Sequence, residues 1–319
     1  MRPTVTIAIP TRNRARYLND ALGSALAAAG PHDQIIVSDN GSTDETPRLL
    51  ASIDDARVTV LRQTADLGMV GNWNACLAAA HGDAFLLLSD DDLLDRAALS
   101  PLTAQLADPR VAFVYGRSRV IDETGDERTI GHVAPARERG GELVRHWFRF
   151  ERTVYPCAVL FRTAELRAIG GYDVAFGPSA DVGAWLGIWA WDPARDVAFV
   201  SDVVASYRTH ESALSASGLD DGVAGLEQLS ARFGEVCGEG ASAGFSRLNA
   251  HFVASALRRR ARASMFPVVS YCSLLVRHAK FVLRHPVVEP YWRQVMILVN
   301  PAAYERRKQH RAAADGTRS

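Results

Sequence analysis

Five short apolar runs in the first 115 residues are separated by stretches with helical spacing, and this alternation restricts the possible folds more than any other feature. Val5 to Ile9 is a β-branched run closed by Pro10, followed by Gln34 to Asp39, Val58 to Leu61, Ala84 to Leu88 and Val111 to Tyr115. Between them Arg14 to Ala29, Thr46 to Ser52 and Gly71 to Ala80 read as helices. The first ends at Gly30-Pro31, and the turn-rich Asn40-Gly41-Ser42-Thr43 precedes the second. Strand and helix alternating in this way predict an α/β fold, a mainly parallel sheet with helices on both faces. In such sheets ligands bind beyond the carboxyl ends of the strands.

Farther along, Arg119 to Arg128 reads as a hairpin around Glu123-Thr124-Gly125-Asp126, and Val197 to Tyr207 as two short strands. From about Ser217 the pattern turns helical and basic, with helices expected over Phe252 to Arg262, Val268 to Leu283 and Tyr291 to Val299. A boundary is expected where Ser, Gly and Asp dominate, near residues 216–222. No internal repeat is evident. Lys plus Arg and Asp plus Glu number 36 each, so the chain lacks the basic excess of a protein built to grip nucleic acid. Four scattered cysteines without a Cys-x-x-Cys pair suit a reduced compartment better than a disulfide framework or a zinc site. The N-terminal apolar run is about five residues, short of the ~7 of a secretion signal. No uncharged apolar run reaches the ~18 of a membrane span. The expectation is a soluble, cytoplasmic protein.

Four polar clusters carry the chemistry. Pro10-Thr11-Arg12-Asn13-Arg14 opens a helix, where free amides and the helix dipole favour an anion, although an ordinary cap explains it too. Asp39, in Ser38-Asp39-Asn40-Gly41-Ser42, ends a buried strand. It either meets a base or ribose or caps the next helix. Ser89-Asp90-Asp91-Asp92 follows an apolar strand directly. Three adjacent carboxylates raise one another's pKa, and a divalent cation resolves the conflict with hard oxygen ligands. A cap on a helix starting near Leu93 accounts for one carboxylate but hardly three. Asp181 ends the glycine-rich stretch from Gly170 and leads into an apolar helix with Trp185, Trp189 and Trp191; alone it reads as a cap.

Together these segments resemble the family 2 glycosyltransferases, which have the GT-A fold, a Rossmann-like α/β architecture. The motifs lie in family order over Val5-to-Arg14, Ile35-to-Thr46, Asp66-to-Asn74, Phe85-to-Leu94, Gly170-to-Asp181 and Tyr207-Arg208-Thr209-His210. The resemblance implies a catalytic domain over residues 1–216, with a nucleotide-sugar half to about 95 and an acceptor half to about 216. Residues 217–319 are expected to form a helical C-terminal region. It implies that Pro10, Thr11, Arg12, Asn13, Asp39, Asn40, Asp66, Gly68, Asn74, Asp90 and Asp91 line the nucleotide-sugar site, with Asp39 near the base. Asp91 matches the last carboxylate of the family's Asp-x-Asp motif. Asp91, Asp92 and His210 are the implied ligands of manganese or magnesium, and Asp181 the implied catalytic base. The acceptor is expected around Tyr155, Pro156, Cys157 and Trp185. The implied activity is metal-dependent, inverting transfer of one hexosyl or deoxyhexosyl unit from a nucleotide-diphosphate sugar to a glycan or lipid-linked hydroxyl. Its expected setting is cell-surface polysaccharide or glycoconjugate assembly.

Some positions depart from the family. Ala180 stands where Glu often precedes the base, and Trp73 where many members carry Arg. The Gln-x-x-Arg-Trp motif of the processive synthases is absent, which predicts one sugar per encounter. Two other functions are weighed: a nucleotidyltransferase, against which the glycine-free Pro10-to-Arg14 loop counts, and an inactive nucleotide-sugar binding module. The basic C-terminal helices read as a layer on the catalytic core, as a peripheral contact with the inner face of a membrane, or as a homodimer contact.

Overall fold

The computed structural model describes residues 2–210, 219–262 and 267–277, together with residues 290, 291 and 294. The chain divides into two compact units, Met1–His210 and Glu211–Ser319, so the division falls a few residues before the expected boundary.

In the first unit the early elements are β1 (Val5–Thr11), α1 (Ala15–Ala28), β2 (Gln34–Asp39), α2 (Thr46–Ala51), β3 (Val58–Arg62), α3 (Gly68–Ala79) and β4 (Ala84–Leu87). They continue with β5 (Leu93–Leu94), α4 (Leu99–Leu106), β6 (Val111–Ile121), β7 (Glu127–Ile130), β8 (Arg137–Arg139) and α5 (Gly140–Phe148). Last come β9 (Val159–Arg162), α6 (Thr163–Ala168), α7 (Ala180–Trp191) and β10 (Asp196–Arg208), with a 3-10 turn at Pro156–Ala158 and a 3-10 segment kinked at Gly177 over Val174–Ser179. The sheet runs β3-β2-β1-β4-β9-β6-β10-β5. Strands β3, β2, β1 and β4 are parallel, as are β6 and β10, while β9 runs antiparallel between β4 and β6. The sheet is therefore mixed but mostly parallel.

Central strands bury both faces, which is why β1 and β2 read as nearly continuous apolar runs. Val5, Ile7 and Ile9 share one core with Leu18 and Leu22 of α1 and Leu99, Leu102 and Leu106 of α4. Ile36 and Ser38 face the other way, where Ser38 Oγ donates to Asn72 of α3 at 2.6 Å. The expected hairpin forms as β6 pairs antiparallel with β7. Two expectations are corrected. Val197 to Tyr207 lies within one strand, β10, whose register against β6 slips three times. The slips around exposed Ser201-Asp202 imitate a turn in the sequence. No helix starts near Leu93: Leu93-Leu94 pairs with Ser206-Ala205 of β10, and α4 begins only at Leu99.

In the second unit α8 (Leu219–Phe233), α9 (Ala241–Arg262) and α10 (Pro267–Arg277) enclose a small core of Val223, Val253, Leu257, Tyr271 and Tyr291. Helix α9 starts before the expected Phe252. Residues 278–283 and most of the helix expected over Tyr291 to Val299 lie outside the described residues. Among the described residues no helix is long and apolar enough to cross a membrane.

Candidate active site

Strands β1, β2, β4 and β10 deliver their polar ends to one edge of the sheet. Thr11 ends β1 and donates through Oγ1 to Asp90 Oδ2 at 2.7 Å, tying the first cluster to the acidic turn. Asp91 Oδ2 lies 2.8 Å from His210 Nε2, just past the end of β10, and 3.5 Å from Arg14 Nη1. Arg14 Nη1 is also 3.2 Å from the His210 ring nitrogen. The sequence separates these groups widely; the parallel sheet reunites them.

The three carboxylates occupy different environments. Asp90 is pushed up to about 7, first by burial and then by the Asp91 charge, against the pull of Thr11 and Arg14. Asp92 is 0 % exposed and is held well above the usual carboxylate range, again by burial first and Asp91 second. Its Oδ1 accepts the Arg208 backbone N–H at 2.8 Å, and its Oδ2 meets no donor in hydrogen-bond geometry among the described residues. The neighbouring Cys157 thiol is pushed up by burial and by that carboxylate. Asp92, expected as a metal ligand, is thus turned into the protein, whereas Asp91 keeps partial access. Among the described residues no group of three or more His, Cys, Asp or Glu is arranged to hold a metal. Asp91 and His210 are the members of the expected set that come together.

Several expected nucleotide-site residues are engaged by the protein itself. Asn13 adopts a left-handed backbone (φ 54°), and its N–H donates to Ser42 Oγ while its Oδ1 accepts from Thr43 N. The helix start expected to offer free amides is partly filled from within, because Ala15 N donates to Asp44. Asp39 Oδ1 accepts from Ser42 N at 2.9 Å, a bond within the turn and not a cap on α2, which starts only at Thr46, while no donor among the described residues reaches its Oδ2. Asn40 holds the β3–α3 loop: Nδ2 donates to Asp66 Oδ1 at 2.7 Å and to the Gly68 carbonyl at 3.3 Å, and Oδ1 accepts from Leu67 N. Asp66 also pairs with Arg12. Pro10 lies in β1 beyond that strand's last β4 partner, Ala8. Asn74 grips Tyr172 through both amide atoms, donating to its carbonyl at 2.7 Å and accepting its N–H at 2.9 Å. Gly171 (φ 75°) must be glycine beside this clamp, since a Cβ would lie 2.6 Å from Asn74 Oδ1.

Asp181 sits in the first turn of α7, where the helix dipole favours a carboxylate. Burial pushes it up to about 6, against the easing effect of the Val182 and Asp181 amides. With Val154, Pro156, Val159, Phe161, Tyr172 and Trp185 it lines a small cavity, about the room one water needs. Of the residues expected around the acceptor, Cys157 and Trp185 are 0 % and 1 % exposed, and Trp185 lines the same cavity as Asp181. Tyr155 is half-buried and stacks on Tyr207, ring centroids 4.3 Å apart. Sequence reasoning gave Tyr17 no role and named Arg14, Tyr172 and Arg208 only as members of motifs. The available signal was the Tyr207-Arg208-Thr209-His210 motif itself, at the end of a strand.

The sequence profile described as Glycosyl transferase family 2 matches residues 6–169, just over half of the chain. The chain belongs to glycosyl transferase family 2. An uncharacterised protein of Mycobacterium tuberculosis is 27 % identical over 196 residues, covering 58 % of this chain and 61 % of its own length. A family relative from Campylobacter jejuni, the GalNAc(5)-diNAcBac-PP-undecaprenol β-1,3-glucosyltransferase, is 35 % identical over 124 residues, 38 % of this chain and 40 % of that one. The chain thus matches less than two thirds of the length of either relative. Its fold is that of the mannosyltransferase PcManGT from Pyrobaculum calidifontis, solved with GDP-Man and Mn2+. The TM-score is 0.60 at 21 % identity, over 93 % of this chain and 86 % of the other.

Proposed function

We propose that this protein is an inverting glycosyltransferase that moves one sugar from a nucleotide-diphosphate donor to an acceptor hydroxyl, with manganese or magnesium at Asp91 and His210. The meeting of Asp91 and His210, 119 positions apart in sequence, carries this reading. One carboxylate oxygen and one imidazole nitrogen suit manganese, and a cation shared with a diphosphate needs few ligands from the protein. When bound, the cation offsets the negative charge that develops on the departing diphosphate.

The chain's own groups do the rest. Arg14 adds a fixed positive charge beside Asp91, where that same diphosphate lies in this reading. Thr11 holds Asp90 in place. The unoccupied Oδ2 of Asp39 is free to accept a base or ribose donor. Asn40, Asp66, Gly68 and Asn74 serve the site by shaping its walls. On the far side of the sugar, the Asp181 carboxylate takes the proton from the attacking hydroxyl. Packed apolar side chains around that carboxyl keep bulk water from competing with the acceptor.

Support for the donor class comes from the GDP-Man bound to the mannosyltransferase of like fold. A lipid-linked acceptor, and work at the cytoplasmic face of a membrane in surface-glycan assembly, are supported by the undecaprenol in the Campylobacter relative's name. The test is nucleoside diphosphate release from a panel of nucleotide sugars with manganese, magnesium or chelator. Slow, cation-dependent hydrolysis of one donor is expected. Pyrophosphate release from a nucleoside triphosphate and a sugar phosphate would instead establish a nucleotidyltransferase. Calorimetric donor binding without turnover on any acceptor would favour a binding module.

A further inference from the structure

Arg208 ends β10 and His210 follows two residues later, and the two reach one residue by its two ends. His210 Nε2 lies 2.8 Å from the Asp91 carboxylate, while Arg208 Nε donates to the Asp91 backbone carbonyl at 2.8 Å. The Arg208 N–H adds the bond to Asp92 Oδ1 at 2.8 Å. Its guanidinium then extends past the acidic turn. Nη1 donates to the carbonyls of Asp122 and Glu123, at 3.3 and 3.2 Å, at the tip of the β6–β7 hairpin. Nη2 lies 3.9 Å from Asp20 of α1. The Tyr17 ring of α1 touches both clamp residues, 5.3 Å from the guanidinium carbon and 4.9 Å from the His210 ring.

A cation only 4 % exposed is costly to bury, and this one spends its donors on protein carbonyls rather than facing the donor site. Only a planar fork reaches three segments at once; a lysine ammonium is a single point of contact. We propose that Arg208 is a positioning residue that fastens the β6–β7 hairpin and α1 to the Asp90–Asp92 turn, forming with His210 a two-point clamp on Asp91. Its benefit to transfer rests on Asp91 facing the donor diphosphate. The clamp itself is a property of the free protein and is tested without any ligand.

The measurement is amide hydrogen exchange on the full chain, parent against Arg208→Lys. Exchange in residues 89–95 and 121–126 is expected to quicken at least tenfold, with the amides of β1 and β2 unchanged. Tyr17→Leu should produce the same local pattern more weakly, and it carries the test alone if Arg208→Lys does not fold. Once a donor is known, Arg208→Lys should lower kcat at least tenfold with the acceptor KM unchanged. Unchanged exchange in both segments, or faster exchange spread evenly over the sheet, overturns the clamp. Failure to turn over any donor would count against the proposed function and leave the exchange result standing.

Discussion

The Asp181 carboxyl, pushed up to about 6 by burial, holds its proton across a range where the unfolded chain, near 3.8, has lost it. The folded state binds more protons between those values, so this group's contribution to stability falls as pH rises through that window. Above it the buried charge costs up to about 3 kcal/mol, from ~1.4 kcal/mol for each of about two pKa units. Asp181→Asn should therefore melt higher than the parent at pH 7.5, with the gap closing near pH 4, while transfer falls by about 10²–10⁴. Thermal melts at both pH values, alongside a transfer assay, check this. In the parent, the transfer rate should rise with pH through about 6 as Asp181 ionises. A second contrast separates neighbouring carboxylates. Asp92 is buried and held towards its neutral form, so Asp92→Asn should keep cation-dependent donor hydrolysis within several-fold. Asp91→Asn should lose it by roughly 10² or more, as expected for a group stabilising charge in the transition state. Equal loss in both variants would restore Asp92 to the ligand set.

Helix α7 carries Asp181 on a surface that tolerates no added volume. Gly183, on the first turns of that helix, lies against Phe176, and an added Cβ would come within 2.2 Å of its ring. Gly183→Ala should cost about 1–3 kcal/mol by overpacking and shift the helix start away from the cavity. Denaturant melts and transfer kinetics together check it, and stability and transfer are expected to fall in step. The Tyr172 segment that precedes α7 is fastened to α3 by Asn74. Strand β10 plays the corresponding part at the other cluster. Its slips against β6 set where it ends, and that end decides where Arg208 and His210 project.

The two units each possess a core of their own, the larger built on the sheet and the smaller on α8, α9 and α10. A chain ending at residue 216 should therefore unfold cooperatively and keep donor binding. In the second unit α10 exposes Val269, Cys272 and Val276 at helical spacing in a region rich in Arg. Peripheral contact with anionic lipid predicts that the full chain floats with anionic vesicles at low salt and that the shortened chain does not. Flotation that survives removal of residues 217–319, or no flotation of either chain, would dismiss a lipid role for this unit.

The order of strands and helices to Leu88 was legible from residue pattern alone, because buried parallel strands are continuous apolar runs and the intervening helices repeat every few residues. Asp39 and the Asp90–Asp92 triplet stood out because costly polar groups at strand ends contrast with an apolar background, whereas Asp181 and His210 gained their roles only from the family resemblance. Pattern does not reveal which carboxylate of a triplet faces the site. Asp91 and Asp92 are adjacent and chemically identical, and the Arg208 backbone N–H draws Asp92 inward while His210 and Arg14 meet Asp91. Nor does it distinguish an aromatic that lines a surface from one that fills a core, as Trp185 does. Those choices arise from contacts between residues far apart in the chain, 77 to 119 positions for the carboxylates, and no local spacing encodes them.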